Sequence, residues 1–468
     1  MASGVTRRAL LRRSCAGGMV LAAGGALSAC AQATHSPLPQ PVRTRLQIVW
    51  EPWRVGWAKG WDHIFHDATA PFRQAHPGVD ISVQAPTAWS NDGLVLSQIL
   101  AGVGPDVYSG FGPTVLIEAG ANLDLAPHLK QHNVDTSLFD QGQFAIYQKD
   151  GGVFALPAEL SINAVAVNLS VLDALGLPEP TDHWTYQEAQ SLWSAVARRG
   201  AKPRFGHSVW GPPALYMWKG WGASIAEGYW SPRCALGSAE AAAFGEWYYP
   251  LVRAGVIAAS APGEPSSFVN GGIVCPTWGS WMLPQAALSL GGLKWRFYPY
   301  PQWPQGSSSR TGQDYYAVNV HTKQPALAAE FAIWLTTSKA WSESLMRLQL
   351  VLPPQKAYWA DWASLVEAVA PPLKGKNVQA FTAAAMQNRG FSAQPFALDS
   401  AAAYGVINQY VGRIVAGQLS PALGLREVAN AVNRYEAARL AEEKLGNTLR
   451  KAFPTVNGTD IASVSPGL

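Results

Sequence analysis

The sequence predicts an α/β protein with a parallel sheet, on three observations. Apolar residues alternate at Leu46, Ile48 and Trp50 and again at Val79, Ile81 and Val83, while apolar residues between these runs recur at helical spacing. The chain has 468 residues, 48% of them hydrophobic, which is enough to fill a real core. Strand-helix-strand order makes the strands parallel, because the crossover helix returns the chain to the same end of the sheet. At ~100–200 residues per domain, the length allows two to four lobes. Charged residues at only 14%, with 44 Gly and 34 Pro, exclude a coiled coil or a disordered chain and indicate a loop-rich globule.

The globular part starts near Arg45, and its first strand ends at Trp50. Trp57, Trp61, Ile64, Phe65, Ala68 and Phe72 then mark the buried face of a helix. Asp62, His63, His66 and Asp67 fall on its flanks, where a solvated helix side explains them better than a metal site does. After the second strand, Ser90-Asn91-Asp92 caps a helix whose apolar face is Leu96, Ile99, Leu100 and Val103, and Gly104-Pro105 stops it. Asp106-Val107-Tyr108 begins the third strand, with Asp106 in a structural role. Ligands of open α/β sheets bind beyond the carboxyl ends of the strands. The residues leaving these three strands run from Trp50 to Trp53, from Gln84 to Asp92 with Trp89 among them, and from Tyr108 to Gly110. One rim thus gathers several aromatic rings, with Arg54 and Lys59 as its few cations.

The formal net charge of +4 resides at the N-terminus. Arg7, Arg8, Arg12 and Arg13 lie in the first 29 residues, which hold no Asp or Glu, so the rest of the chain is neutral. A neutral body has no field to gather phosphates, which argues against nucleic acid as a partner. Basic residues followed by a short apolar, Gly-rich stretch over 1–29 read as a secretory signal, too short to span a bilayer stably. Leu27-Ser28-Ala29-Cys30 resembles a bacterial lipobox, in which cleavage before Cys30 leaves a thiol that receives a membrane-anchoring lipid. Thr6-Arg7-Arg8-Ala9-Leu10-Leu11-Arg12 resembles a twin-arginine export signal, although ordinary secretory signals also carry paired arginines. Residues 30–44, punctuated by proline, form a flexible tether. Cys234 and Cys275 remain in the exported body. They either form a disulfide, closing a loop of about 40 residues for roughly 4 kcal/mol, or stay as two buried thiols. No Cys/His spacing fits zinc, and no Walker loop or dinucleotide fingerprint occurs, so neither metal nor cofactor is expected.

A longer series of motifs carries a family likeness. Gly104-Pro105-Asp106-Val107, Leu123-Asp124-Leu125, Gly151 to Pro157, Ala164 to Asn168 and Leu175 to Pro178 come first. Trp184 to Glu188, Phe268 to Gly271, Trp278 to Trp281, Pro299 to Pro301 and Gln313 to Val318 follow in order. The series resembles the family 1 extracellular solute-binding proteins, the maltose-binding-protein-like receptors of carbohydrate ABC importers, and covers the chain from residue 45 to residue 440. Ser420 as N-cap and Pro421 at the first helical position, before Leu425, Val428, Val432 and Tyr435, fit the family's closing helix. The Trp-rich stretch from His207 to Trp230 matches only loosely, which leaves its role in the site open.

The resemblance implies an α/β fold of two lobes, the periplasmic-binding-protein architecture of the class II type, with hinge strands between the lobes. Lobe I is expected over 45–158 plus 316–350 and lobe II over 159–315 plus 351–455, with crossings near Leu156 to Ile162, Asp314 to Val320 and Leu352 to Gln355. It further implies a monomeric receptor without enzymatic activity, lying in the periplasm or on the outer face of the membrane. That receptor would bind a carbohydrate, either an oligosaccharide or another neutral polyol, and deliver it to the permease subunits of an ABC transporter.

Residue chemistry narrows the expected site. Trp and Tyr rings pack on the C–H faces of sugars, while Asp and Glu accept hydrogen bonds from hydroxyls. Glu51, Trp53, Trp89 and Tyr108 leave the strand ends, Glu159 follows the first hinge proline, and Asp314 and Tyr315 open the second hinge strand. Trp278 and Trp281 fall on the family's Gly-Ser-Trp segment. These nine are the expected ligand-binding residues, whereas Trp50, Trp210, Trp218 and Trp221 suit a core equally well. The 20 tryptophans favour an extended apolar ligand face, and so a di- or trisaccharide over a single hexose. Two other functions fit parts of the pattern. One is a surface glycan-binding lipoprotein without a transporter, and the other a glycosidase using two of Glu51, Glu159 and Asp314. Gly206-His207-Ser208-Val209-Trp210 falls short of a serine nucleophile elbow, because Trp210 stands where the last glycine belongs.

Overall fold

The computed structural model describes residues 44–49, 61–84, 92–199, 203–209, 215–258, 265–306, 314–387, 400–452, 455–456 and 459–460. The strands that position the site are β1 (Thr44–Val49), β2 (Val79–Gln84), β3 (Val107–Phe111), β4 (Gln148–Lys149), β5 (Gly152–Val153) and β6 (Leu156–Pro157). They continue as β7 (Asn163–Asn168), β8 (Phe205–Ser208), β9 (Ile257–Ala258), β10 (Ile273–Gly279), β11 (Trp295–Tyr298) and β12 (Asp314–Val318). One sheet has the order β2-β1-β3-β12-β6 and a second the order β11-β7-β10-β8-β9, while β4 and β5 form a hairpin. These sheets are the cores of two lobes.

In the first sheet β1 runs parallel to β2 and β3, with Leu46 opposite Ile81 and Ile48 opposite Val107. Leu46 and Ile48 are fully buried, as their alternation requires. The helical spacing after β1 yields two helices, Trp61–Ala68 and Ala70–Ala75. Pro71, which has no N–H, sits in the first turn of the second, where none is needed. Phe65, Ala68 and Phe72 are buried, while His66 and Asp67 face solvent. The helix Asp92–Leu100 corrects one expectation. It buries Val95 and Ile99, whereas Leu100 and Val103 are 67% and 72% exposed. Val95 and Ile99 are four residues apart and share a face, while Leu100 lies about 100° further round the helix and Val103 lies beyond its end.

Asp106 fastens the first sheet. Its Oδ2 accepts from Gln47 N at 2.8 Å and its Oδ1 from Thr322 Oγ1 at 2.5 Å. Its backbone N donates to Gln47 O, and its carbonyl accepts from Asn319 N. Segments next to β1, β3 and β12 are thereby tied at one residue.

The second sheet is covered on both faces, which is why β7 and β10 are buried throughout. Val165 and Val167 join a core with Trp193, Phe244 and Val274, while Ala164 and Ala166 join one with Trp278, Phe297 and Phe381 on the opposite face. Helix Tyr186–Arg198, which lies against β8, begins at Thr185, whose hydroxyl caps it in a reciprocal box with Glu188.

Cys234 and Cys275 are free, buried thiols. Cys275 lies inside β10, whereas the Cys234 backbone is held by Asn433 of helix Pro421–Ala452. Burial pushes the Cys234 thiol up to about 11 and that of Cys275 higher still, so both are poor nucleophiles. Among the described residues, no helix is long and apolar enough to cross a membrane, and no group of His, Cys, Asp and Glu is arranged to hold a metal.

Candidate ligand-binding site

The chain passes from β6 in the first sheet to β7 in the second through residues 158–162, and this crossing is tied at each step. Ala158 N donates to Asp314 O at 2.9 Å, Leu160 N to Leu352 O at 2.8 Å, and Ser280 N to Ile162 O at 2.7 Å. Ile162 N donates to Ser280 Oγ at 3.1 Å, and Gln143 Nε2 to Glu159 O at 2.7 Å. The backbone groups of a buried crossing need such partners, and these partners fix its path.

Two carboxylates meet on this path. Glu159 and Asp314 are 1% and 2% exposed, and Ser161 Oγ lies 2.8 Å from Glu159 Oε1 and 2.9 Å from Asp314 Oδ2. A serine hydroxyl holds one hydrogen and so donates to one carboxylate at a time, while each carboxylate accepts several bonds. Tyr147 OH donates to the Asp314 carbonyl at 2.9 Å. Burial, and then the charge of Asp314, hold this phenol well above its ordinary value, so it remains a donor.

An aromatic surface adjoins the crossing. Gly279, at the end of β10, pairs with Asn163 of β7, and the next residue is the Ser280 bonded to Ile162. Trp281 lies over Gly279 so closely that a Cβ there would stand 2.4 Å from the indole. The glycine thus makes room for the ring. A half-buried indole seated this way is a flat apolar surface of the kind on which a sugar's C–H face packs.

The structure therefore brings Glu159 and Asp314 together and sets Trp281 beside the same crossing. Tyr108, Tyr315 and Trp278 are placed in the lobe cores. Tyr108 meets Tyr315 edge to face at 6.2 Å and donates through its hydroxyl to Asn122 Oδ1 at 2.5 Å. Trp278 packs against Phe268 and Phe297 at 5.8 Å and 6.3 Å. Trp218 and Trp221 pack around Phe244 in the core of the second sheet. Glu51, Trp53, Trp89, Trp210 and the lipobox Cys30 lie outside the described residues. Sequence reasoning missed Ser161 and Ser280. The available signals were a serine inside the apolar run Leu160 to Ile162 and the middle residue of the Gly-Ser-Trp segment.

Two sheets joined by a tied crossing, with buried acceptors and an indole at the join, suit a receptor. The family model of the bacterial extracellular solute-binding proteins matches residues 56–340, more than half of the chain. The chain belongs to this family. As a solute-binding protein it is a non-enzymatic receptor acting outside the cytoplasm, so Glu159 and Asp314 are not the catalytic pair of a glycosidase. No functionally curated protein matches it. Solved structures of the same fold do. An ABC substrate-binding protein from Listeria monocytogenes in complex with cycloalternan is 16% identical, with a TM-score of 0.68 over 84% of this chain and 99% of that one. The sugar-binding protein MalE from Xanthomonas citri is 14% identical, with a TM-score of 0.68 over 86% and 99%. The cyclic α-maltosyl-1,6-maltose binding protein from Arthrobacter globiformis is 15% identical, with a TM-score of 0.68 over 84% and 100%.

Proposed function

We propose that this solute-binding protein is the receptor of an ABC importer, holding an oligosaccharide or other neutral polyol between its lobes and passing it to a membrane permease. The observation that carries the reading is the Glu159-Ser161-Asp314 group at the crossing between the sheets. In this reading it offers carboxylate oxygens to ligand hydroxyls, and Trp281, next in sequence to the Ser280 that bonds the same crossing, offers a ring to a C–H face. In this reading Glu51, Trp53 and Trp89 complete the site from the first lobe, and Tyr108, Trp278 and Tyr315 support its walls. Lobe I carries the first sheet, with all of β12 and so Asp314 and Tyr315, lobe II carries the second sheet, and the two close on the ligand because it binds the closed form better. The basic leader and Leu27-Ser28-Ala29-Cys30 support export and attachment of the monomer through a lipid on Cys30. The sugar ligands named for proteins of the same fold support the ligand class.

A thermal-shift panel of mono- and oligosaccharides, polyols, glycerol phosphodiesters, amino acids and metals tests this. A ligand that binds only the native state raises the melting temperature, and a shift is expected with one oligosaccharide class. Shifts confined to phosphodiesters or metals would contradict the reading. Loss of uptake of the same sugar on deleting the gene would separate an importer receptor from a surface glycan binder.

Glu159→Gln is expected to weaken binding of that sugar about tenfold, since an amide nitrogen replaces one accepting oxygen without changing side-chain size. Calorimetric titration reads this directly, and an unchanged affinity would remove Glu159 from the site.

A further inference from the structure

We infer that the loop from Ala226 to Cys234 is a clasp, carried by one lobe and fastened to the other, that holds the lobes together without the ligand. The inference rests on the two-lobe receptor reading but not on which solute is bound.

The base of the loop belongs to the second sheet's lobe. Ala226 and Cys234 pair as an antiparallel bridge, Glu227 N donates to Arg233 O at 3.1 Å, and Ala235 N donates to Ile225 O at 2.6 Å. Asn433 grips the same point, its Oδ1 accepting from Cys234 N at 2.7 Å and its Nδ2 donating to Cys234 O at 3.3 Å. Ile225, Ala226, Cys234 and Leu236 are buried in the core that contains Trp193 and Phe244.

The tip has its contacts on the first lobe. Tyr229 packs against the core built on β1 and β3, and its hydroxyl is 3.2 Å from Thr114 Oγ1. Trp230 Nε1 donates to the carbonyl of Gln148 in β4 at 2.7 Å, and Lys149 Nζ lies 5.1 Å over the Trp230 ring. The two aromatic rings brace each other edge to face at 5.1 Å. Their receiving hairpin is fixed in its own lobe, because β4 pairs with β5 and Val153 N donates to Asp124 Oδ1 at 2.9 Å.

Separating the lobes breaks the tip contacts and spares the base. The clasp therefore biases the empty protein toward the arrangement of the lobes in which these contacts are made. It also gives a role to a stretch whose sequence matches the family only loosely.

The test uses the full-length protein with no sugar present. Thr114→Val removes the hydroxyl partner at constant size, Trp230→Ala removes the second contact, and Glu227→Gln alters an exposed pair at the base as a control. Scattering should give a larger radius of gyration for the Thr114→Val/Trp230→Ala double variant. Hydrogen exchange over 148–153 and 226–234 should be at least about tenfold faster, with the sheet cores still protected. Glu227→Gln should match wild type in both measurements. Wild-type radius and exchange in the folded double variant would overturn the inference, and so would wild-type exchange over 148–153 in the folded Trp230→Ala single variant, which loses both contacts to Gln148 and Lys149. Because the ligand is absent, that result would leave the proposed solute class untouched.

Discussion

Replacing Gly206 with alanine is expected to destabilise the protein by about 3 kcal/mol, near the upper range for overpacking a core. Gly206 lies in β8, buried under helix Tyr186–Arg198. A Cβ at this position would stand 2.4 Å from both the Cα and the carbonyl oxygen of Trp193, and 2.5 Å from its Cβ. Two of those atoms are backbone, so no rotamer change relieves the clash and the helix itself must lift from the sheet. Lifting it also disturbs the Trp193 ring, which stacks on His207 at 4.2 Å and meets Trp184 edge to face at 6.1 Å. Urea unfolding of the variant reads the loss. A change below about 1 kcal/mol would mean the helix does not approach β8 this closely.

The neighbouring His207 makes stability depend on acid. It is fully buried, its Nδ1 is 2.5 Å from the Cys275 carbonyl, and its Nε2 has no hydrogen-bond partner among the described residues. A carbonyl only accepts, so Nδ1 carries the hydrogen and protonation must occur at the unpartnered Nε2. Burial lowers the imidazole from 6.5 to about 4, against a smaller upward pull from the Cys275 carbonyl. Between those values the unfolded chain takes up a proton that the folded chain refuses, so stability falls as pH drops. The contribution is fully present above pH 6.5, is lost progressively down to about pH 4, and amounts to about 3 kcal/mol. His207→Phe keeps a flat ring against Trp193 and removes the titration. It costs some stability at neutral pH, where the Cys275 carbonyl loses its donor, but it should flatten the acid slope relative to wild type. Parallel slopes for the two proteins would contradict this account.

Much of the fold was legible because local patterns write it. The alternation at Leu46 and Ile48 and the helix face at Phe65 and Phe72 each depend on residues a few positions apart. The misjudged face of helix Asp92–Leu100 shows the limit of that reading. Five apolar positions were available, Leu94, Val95, Leu96, Ile99 and Leu100, and tertiary packing chose Val95 with Ile99 over Leu100. The join between the lobes was legible only in part. Glu159 and Asp314 each carry a local cue, a proline or a strand start, but the Ser161 bridge to Asp314 spans 153 residues, and no local pattern encodes such a separation.

The tryptophans misled in a different way. Their number favoured an extended ligand face, yet Trp193, Trp218, Trp278, Trp341 and Trp362 are among the largest fully buried side chains. Tryptophan abundance here largely measures core packing, which removes composition as a motive for preferring a di- or trisaccharide over a single hexose. Trp281 differs from these in being half-buried, and that exposure could not be read from composition.

The central claim is that the protein holds a carbohydrate between its lobes and returns it unchanged. Equilibrium dialysis against an isotope-labelled oligosaccharide, followed by mass analysis of the recovered sugar, tests this most directly. The account predicts saturable binding of one sugar per chain, with the sugar recovered intact. A recovered sugar that has been cleaved, or a panel in which no carbohydrate binds, would contradict it.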